Sequence, residues 1–178
     1  MHQLLCMVGV SLLLIGCLSP GEARLPGGTY HLQPAADAPL LDEWQEVETT
    51  DQRGTRKLLA HVLNRPGMTR LTLLEPASLA TLLRCDFDGT AATRSGPLFA
   101  ENIPAELPLA VLQLSRWPRT SVSRGLSGDL SITDDGVRRT IWSGSKVFAH
   151  IDECPDRETA IQLPGQGTTI RIRKADQR

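Results

Sequence analysis

Short extended segments dominate the pattern of hydrophobic and polar positions. From Trp44 onward, apolar runs alternate with turn signals at roughly ten-residue intervals, as in all-β domains. The turns read DQRG, NRPG, EPAS and DG in the first half, and DDG, SGS, CPD and PGQG in the second. The pattern predicts ten strands, at 44–50, 55–63, 68–75, 79–87, 91–99, 129–134, 137–143, 146–153, 157–163 and 168–174.

One segment between the two sets of strands has a helical period instead. In IPAELPLAVLQLSRWP, residues 103–118, the side chains of Leu107, Val111 and Leu114 recur at helical spacing, and Pro118 cannot continue the helix. Almost the whole circumference of this helix is apolar. A helix that is apolar all round is buried or covers an apolar surface, so the segment is predicted to be a plug or a lid.

The N-terminus has the features of a secretory signal. Residues 4–16, LLCMVGVSLLLIG, carry no charge, and such a run is too short to cross a bilayer of ~30 Å as a helix. The run ends in Leu14-Ile15-Gly16-Cys17, which resembles a bacterial lipobox, although MHQ supplies no Lys or Arg before it. This resemblance implies cleavage before Cys17 and attachment of acyl chains, including palmitate, to that residue. The alternative is a plain signal peptide cut after Ala23.

Processing at the lipobox would leave two cysteines for other roles. Cys6 would leave with the signal and Cys17 would carry lipid, so Cys85 and Cys154 would face an oxidising compartment in which disulfides persist. They are a candidate disulfide, but two distant strands need not be neighbours, and a buried free thiol is the alternative for Cys85. Residues 17–40 are rich in Pro, Gly and Ala and are predicted to be a lipid-anchored tether.

Length and charge exclude several classes of protein. The chain has 178 residues and a formal net charge of −1, with Lys and Arg spread along its length. This size suits one domain, and neither a nucleic-acid-binding face nor a polybasic membrane patch is present in the sequence.

The string CDFDGT, residues 85–90, raises a catalytic alternative. It resembles the phosphatases of the haloacid-dehalogenase type, in which the first aspartate attacks phosphorus and the second handles the proton. That fold alternates strands and helices, whereas Asp86 and Asp88 stand among predicted hairpins. Asp-Gly between two strands favours a type I′ turn, so a non-enzymatic hairpin is the preferred interpretation.

Two further motifs are also interpreted as structural. Ser143-Gly144-Ser145-Lys146 matches a Ser-x-x-Lys motif but lies between strands, and its companion motifs are absent from the sequence. His150, Asp152 and Cys154 alternate on one strand face, which would suit a metal, yet no second group of ligands follows. We therefore expect neither a metal nor a cofactor.

The helical segment carries a resemblance to a known family. It is similar to a bacterial lipoprotein family of unknown function (domain of unknown function thirty-two sixty-one), often found with aryl-polyene gene clusters. The matching residues are Ile103, Pro104, Glu106, Leu107, Pro108, Leu112, Gln113, Leu114, Trp117 and Pro118. These proteins resemble the outer-membrane lipoprotein receptor LolB, which implies a mainly β fold: an antiparallel half-open β-barrel with one or two covering helices.

The resemblance also implies a function. In LolB-like proteins the concave apolar face holds acyl chains, so Leu107, Val111, Leu114 and Trp117 become the candidate cargo-facing lid. LolB has an apolar residue on a protruding loop, and the corresponding segment 75–78 offers only Ala77. Leu18 after the anchor is not the aspartate that retains lipoproteins in the inner membrane, which implies an outer-membrane position facing the periplasm.

Together these observations predict a signal peptide at 1–16, a tether at 17–40 and a LolB-like domain at 41–174. The expected function is non-enzymatic binding or transfer of a lipidic cargo, either lipoprotein acyl chains or a polyene-type lipid. The expected partners are that lipid, the membrane through Cys17, and a periplasmic carrier protein. The alternative is a structural or assembly lipoprotein that holds a partner protein, and the distant alternative is a phosphatase.

Overall fold

The computed structural model describes residues 20–97, 104–153 and 158–175, and the fold is mainly β. Two helices accompany thirteen strands in this part of the chain. The helices are α1 (Glu106–Arg116) and α2 (Arg119–Gly125). The strands are β1 (Glu22–Leu25), β2 (Gly28–His31), β3 (Leu41–Asp51), β4 (Gly54–Arg65), β5 (Met68–Leu74), β6 (Thr81–Phe87), β7 (Ala92–Ser95), β8 (Leu126–Gly128), β9 (Leu130–Asp134), β10 (Arg138–Ser143), β11 (Lys146–Glu153), β12 (Glu158–Leu163) and β13 (Thr168–Lys174).

Ten of these strands form one antiparallel sheet, in the order β7-β6-β5-β4-β3-β13-β12-β11-β10-β9. Each half of the sheet is a meander of hairpins, and the pairing of β3 with β13 joins the halves, with Val47 opposite Ile172. Strands β7 and β9 form the two edges of the described sheet, which is therefore not closed. The ten strands predicted from the sequence correspond one by one to β3–β7 and β9–β13.

The side-chain alternation gives this sheet an inner face, defined as the face that packs against α1. Ala60, Val62, Leu71 and Leu83 are buried on it and join the apolar cluster that contains α1. In the second half, five isoleucines enter the same cluster: Ile132, Ile141, Ile151, Ile161 and Ile172. The opposite, outer face carries the side chains that alternate with them, which are polar at Arg70 and Arg84 and apolar at Leu59.

The prediction of a tether over residues 17–40 is wrong for its described part. Strands β1 and β2 form a hairpin, and β2 pairs with β8 so that Tyr30 lies opposite Leu126. Ala23, Leu25 and Tyr30 are buried in the apolar cluster, and this burial stabilises the hairpin. Several of the glycines and prolines that suggested a tether, among them Gly21, Pro26 and Gly27, are turn residues. Residues 1–19, with the predicted signal and Cys17, lie outside the described residues.

The second helix and β8 were also missed. Pro118 ends α1 as predicted, but its carbonyl accepts hydrogen bonds from the backbone N–H groups of Ser121 and Val122, so a new helix starts at once. At the end of α2, Gly125 permits close packing, because a Cβ there would lie 2.5 Å from the carbonyl oxygen of His31.

The loop between β6 and β7 differs from the predicted type I′ turn. Phe87 pairs with Ala92, so four residues connect the strands instead of two. A type I′ turn needs a positive φ at both of its central residues. In this loop only Gly89 has a positive φ, at 98°. The prediction of a turn between β6 and β7 is confirmed, but the prediction that it is of type I′ is wrong.

Candidate functional site

Helix α1 covers part of the inner face of the sheet. It contacts β5, β6 and β1, and Leu109, Ala110, Leu112 and Leu114 are buried along it. Of the predicted lid residues, Leu114 and Trp117 are buried, with Trp117 immediately after the helix, while Leu107 and Val111 are half-buried against the same cluster. The structure thus brings all four to the inner face, part of which α1 covers.

A polar pin, formed by Gln113 and its partners, fixes the middle of α1. The fully buried Gln113 accepts hydrogen bonds at Oε1 from the Tyr30 hydroxyl (3.1 Å) and from the Gln33 backbone N–H (2.7 Å). Its amide nitrogen donates to the Gln33 carbonyl (2.9 Å). Burial raises the pKa of Tyr30, so the hydroxyl keeps its proton for this bond. The pin holds α1 to the segment that follows β2.

Charged groups hold the C-terminal end of α1. Nη1 of Arg139 donates to the carbonyl oxygens of Leu114 (2.7 Å) and Trp117 (2.9 Å), and its Nε pairs with Asp134 (2.9 Å). A cation at this position satisfies carbonyls that have no partner within the helix and favours the helix dipole. Burial opposes ionisation of Asp134, but hydrogen bonds from Gly136 and Arg139 outweigh it and lower the pKa of the carboxyl.

A second ion pair joins the same end to the sheet. Arg116 donates to Glu43 on β3 at 3.0 Å, and the side chain of Gln45 donates to the same carboxylate at 2.6 Å. The buried indole N–H of Trp117, in contrast, has no hydrogen-bond acceptor among the described residues. A buried donor without a partner is costly, so an oxygen atom brought next to this indole would be bound favourably.

The inner face is only partly covered towards one end of the sheet. The register places Val47, Leu58, Leu73, Leu163 and Ile170 towards the end that carries the β3–β4 and β12–β13 turns, and each of them is half-buried. Apolar side chains that remain partly exposed on the helix-covered side of a sheet offer a surface for an apolar ligand.

The two aspartates of the phosphatase-like string lie elsewhere. On the face away from α1, Asp86 pairs with Arg70 (2.5 Å) and Arg84 (2.9 Å). Asp88 is exposed and accepts hydrogen bonds from the backbone N–H groups of Thr90 and Ala91, which lower the pKa of its carboxyl. Both carboxylates therefore have structural partners, one in an ion-pair cluster and one in the loop.

The other two motifs also have structural partners. Asp152 is bound by Arg138 at 2.6 Å, and His150 shares a hydrogen bond with Thr140. Among the described residues no group of three potential metal ligands comes together, and Cys154 lies outside them. The Ser143–Lys146 segment forms the β10–β11 turn, with Gly144 at a φ of 58°.

Cys85 is buried on β6 and has no disulfide partner among the described residues. Burial, with a contribution from Asp86, raises the pKa of its thiol to about 11, so the thiol is protonated and unreactive at neutral pH. Since Cys154 lies outside the described residues, their pairing stays a prediction.

The loop between β5 and β6 exposes a leucine that sequence reasoning missed. The predicted tip residue was Ala77, but Leu79 is 59% exposed, with a φ of 57°. The Glu75 carboxylate accepts hydrogen bonds from the backbone N–H (2.5 Å) and hydroxyl (2.7 Å) of Ser78, and these bonds fix the loop. Sequence alone gives no signal for a leucine at positive φ.

A family assignment follows from the comparison with known proteins. The model described as "Protein of unknown function (DUF3261)" matches residues 42–176. The chain belongs to this family. No curated protein matches it. The DUF3261 match spans β3 to β13 with α1 and α2 but leaves out the β1–β2 hairpin, although Tyr30 and Gln33 in and after that hairpin supply the partners of Gln113. No helix in the described residues is long and apolar enough to span a membrane.

Proposed function

We propose that the chain is a lipid-anchored, LolB-like protein of the outer membrane that faces the periplasm and binds or hands over a lipidic cargo. The cargo is either the acyl chains of a lipoprotein or a polyene-type lipid, exchanged with a periplasmic carrier protein. One observation carries the proposal: an open antiparallel sheet has an apolar inner face that is partly covered by a largely apolar helix. In this view the sheet is a half-open barrel and α1 is its lid.

Cargo binding requires α1 to yield space. The polar pin and Arg139 fix the middle and the C-terminal end of the helix, so we expect its N-terminal half, with Leu107 and Val111, to move. Each methylene transferred from water contributes about 0.8 kcal/mol, so a long acyl chain can offset the loss of those contacts. The unpaired indole N–H of Trp117 would then donate to an ester or carboxyl oxygen of the cargo.

The folded hairpin supports cleavage before Cys17. A cut after Ala23 would divide β1, whose Ala23 and Leu25 are both buried. The test is metabolic labelling with palmitate in a bacterial host. Wild type should incorporate label and Cys17→Ser should not, and label that survives this substitution would contradict the anchor.

Native mass spectrometry of the purified mature protein tests cargo binding. Organic extraction separates a non-covalent cargo from the covalent anchor lipid. Val111→Asp places a charge on the half-buried face of the lid and should empty the site, whereas Leu40→Asp, at a position 74% exposed, should not. Absence of extractable lipid from both variants and wild type would contradict the proposal.

The second candidate, a structural lipoprotein that holds a partner protein, is favoured by the two edges of the open sheet at β7 and β9. An exposed edge can accept a strand from another protein. Under this alternative the extracted protein carries no lipid, and deletion of the protein releases its partner from the membrane fraction.

A further inference from the structure

A concave surface lies on the outer face, away from α1. This outer groove has a volume of about 1070 Å³ and lies over β4, β3 and β13, with the β5–β6 loop beside it. Leu59, Leu74 and Leu79 line it from β4, β5 and the loop, while Arg171 and Arg173 line it from β13. Its volume is in the range of pockets that hold small-molecule ligands.

The strand register arranges part of the groove lining in one row across the sheet. Leu74 pairs with Leu59, Leu59 with Glu46, Glu46 with Arg173, and Arg173 with Glu158. Neighbouring strands are about 4.8 Å apart, so the row changes from apolar to charged over roughly 14 Å between Leu74 and Arg173. This polarity matches a ligand with an apolar tail and a charged head.

The charged part of the groove is balanced in sign. Glu46 pairs with Arg173 at 3.4 Å, Glu48 pairs with Lys57 at 3.6 Å, and Glu158 lies 3.9 Å from both Arg171 and Arg173. Ion pairs this long and this exposed contribute little to stability, so a ligand can replace them. Separated charges of both signs complement a zwitterionic head better than a simple anion or a neutral head.

The apolar part is held in place at a cost in backbone energy. A left-handed conformation costs a non-glycine residue about 1–2 kcal/mol, yet Leu79 adopts a φ of 57° and is 59% exposed. Strain at an exposed apolar residue points to a function for that residue. Leu79 lines the groove next to Pro76, above the buried Leu74.

We propose that the outer groove binds a single-chain amphiphile with a zwitterionic head. The guanidinium groups of Arg171 and Arg173 donate hydrogen bonds to its phosphate, and Glu46 receives its ammonium group. Its acyl chain lies across Leu59 towards Leu79. Val47 and Leu58, whose side chains the register places on the inner face, also line this groove, but its charged residues and Leu59, Leu74 and Leu79 do not belong to the surface under α1. The proposal does not depend on the cargo proposal.

Oleoyl lysophosphatidylethanolamine, used below its micelle concentration, is the probe for the mature protein. Trp44 lines the groove, so its fluorescence reports binding, and Trp44→Phe identifies its signal. We expect the double variant Arg171→Ala/Arg173→Ala to weaken binding at least tenfold. The control Arg53→Ala/Arg56→Ala removes two exposed arginines outside the groove and should leave binding unchanged.

Leu79→Gly separates function from stability. It relieves the positive φ and should raise the melting temperature while weakening binding several-fold. Val111→Asp on α1 should leave this binding intact, which distinguishes the groove from the inner face. Equal or tighter binding of oleate or monooleoylglycerol would overturn the proposal, and so would insensitivity to the arginine variant. If the protein self-associates and Leu79→Asp abolishes that association, the groove binds a second copy of the chain, and this result would also overturn the proposal.

Discussion

Replacing Gln113 by Met tests how the lid is held. The side chain keeps its length and its burial but loses every polar atom. Three buried or nearly buried groups then lack their partner: the Tyr30 hydroxyl, the Gln33 N–H and the Gln33 carbonyl. In the folded protein Tyr30 is 0% exposed and Gln33 8%, so water cannot easily replace these bonds.

The magnitude follows from the count of lost partners. Leaving one buried polar group unpaired costs about 1–3 kcal/mol, so three such groups cost at least about 3 kcal/mol. For a domain of this size 1 kcal/mol corresponds to about 2–4 °C in melting temperature, and the expected fall is about 6–12 °C. Tyr30→Phe removes only one of the three bonds and should cost about 1 kcal/mol.

Urea denaturation followed by circular dichroism measures these free energies of unfolding. Gln162→Met is the matched control, because Gln162 is exposed on β12 and its replacement should change stability by less than about 0.5 kcal/mol. A double-mutant cycle between Gln113→Met and Tyr30→Phe should give a coupling of at least about 0.5 kcal/mol. A cost for Gln113→Met no larger than that of Gln162→Met would refute the polar pin.

Three further predictions concern other parts of the molecule. Asp86→Asn should leave the protein folded and should not change hydrolysis of a generic phosphate ester. Gly89→Val should lower the melting temperature, because φ is 98° at that position. Hydrolysis that is abolished by Asp86→Asn would restore the phosphatase hypothesis. Hydrogen bonds from Ser78 lower the pKa of Glu75 below its ordinary 4.5, so this carboxylate stabilises the fold above pH 4.5, and the contribution is lost as the pH falls through the folded pKa. Urea midpoints measured between pH 2 and 6 should depend less on pH in Glu75→Gln than in wild type. An unchanged pH dependence would contradict the assignment. Maleimide should label Cys85 in the native protein far more slowly than in urea. If neither Cys85 nor Cys154 is labelled in the denatured, unreduced protein, the two cysteines form a disulfide.

The fold was predictable where local patterns and packing agree. The turn signals and the alternation of residues such as Leu130 and Ile132 located the ten strands, because one face of each strand is buried in a common core. The pairing of β3 with β13 has no sequence signal, since it joins distant segments. The β1–β2 hairpin was missed because its strands have only four residues each, and its glycines and prolines also suit a linker.

The candidate site was predictable only in its apolar part. Helical spacing in α1 identified Leu114 and Trp117, which the structure buries. Gln113 lies within the same segment, but its partner Gln33 lies 80 positions away and could not be inferred from a pattern. The exposed Leu79 was missed for a different reason, because its exposure results from a loop held by Glu75 and not from local hydropathy.

Photo-crosslinking would show whether lipid lies between α1 and the sheet. Bacteria that express the full chain are supplied with a diazirine-bearing fatty acid and irradiated, and the crosslinked peptides of the purified protein are mapped by mass spectrometry. We expect adducts on the inner face, on β4 to β6 at Val62, Leu71 or Leu83 and on α1 at Val111. Adducts confined to the outer groove, or absent from the protein beyond its anchor, would contradict a lipid site beneath α1.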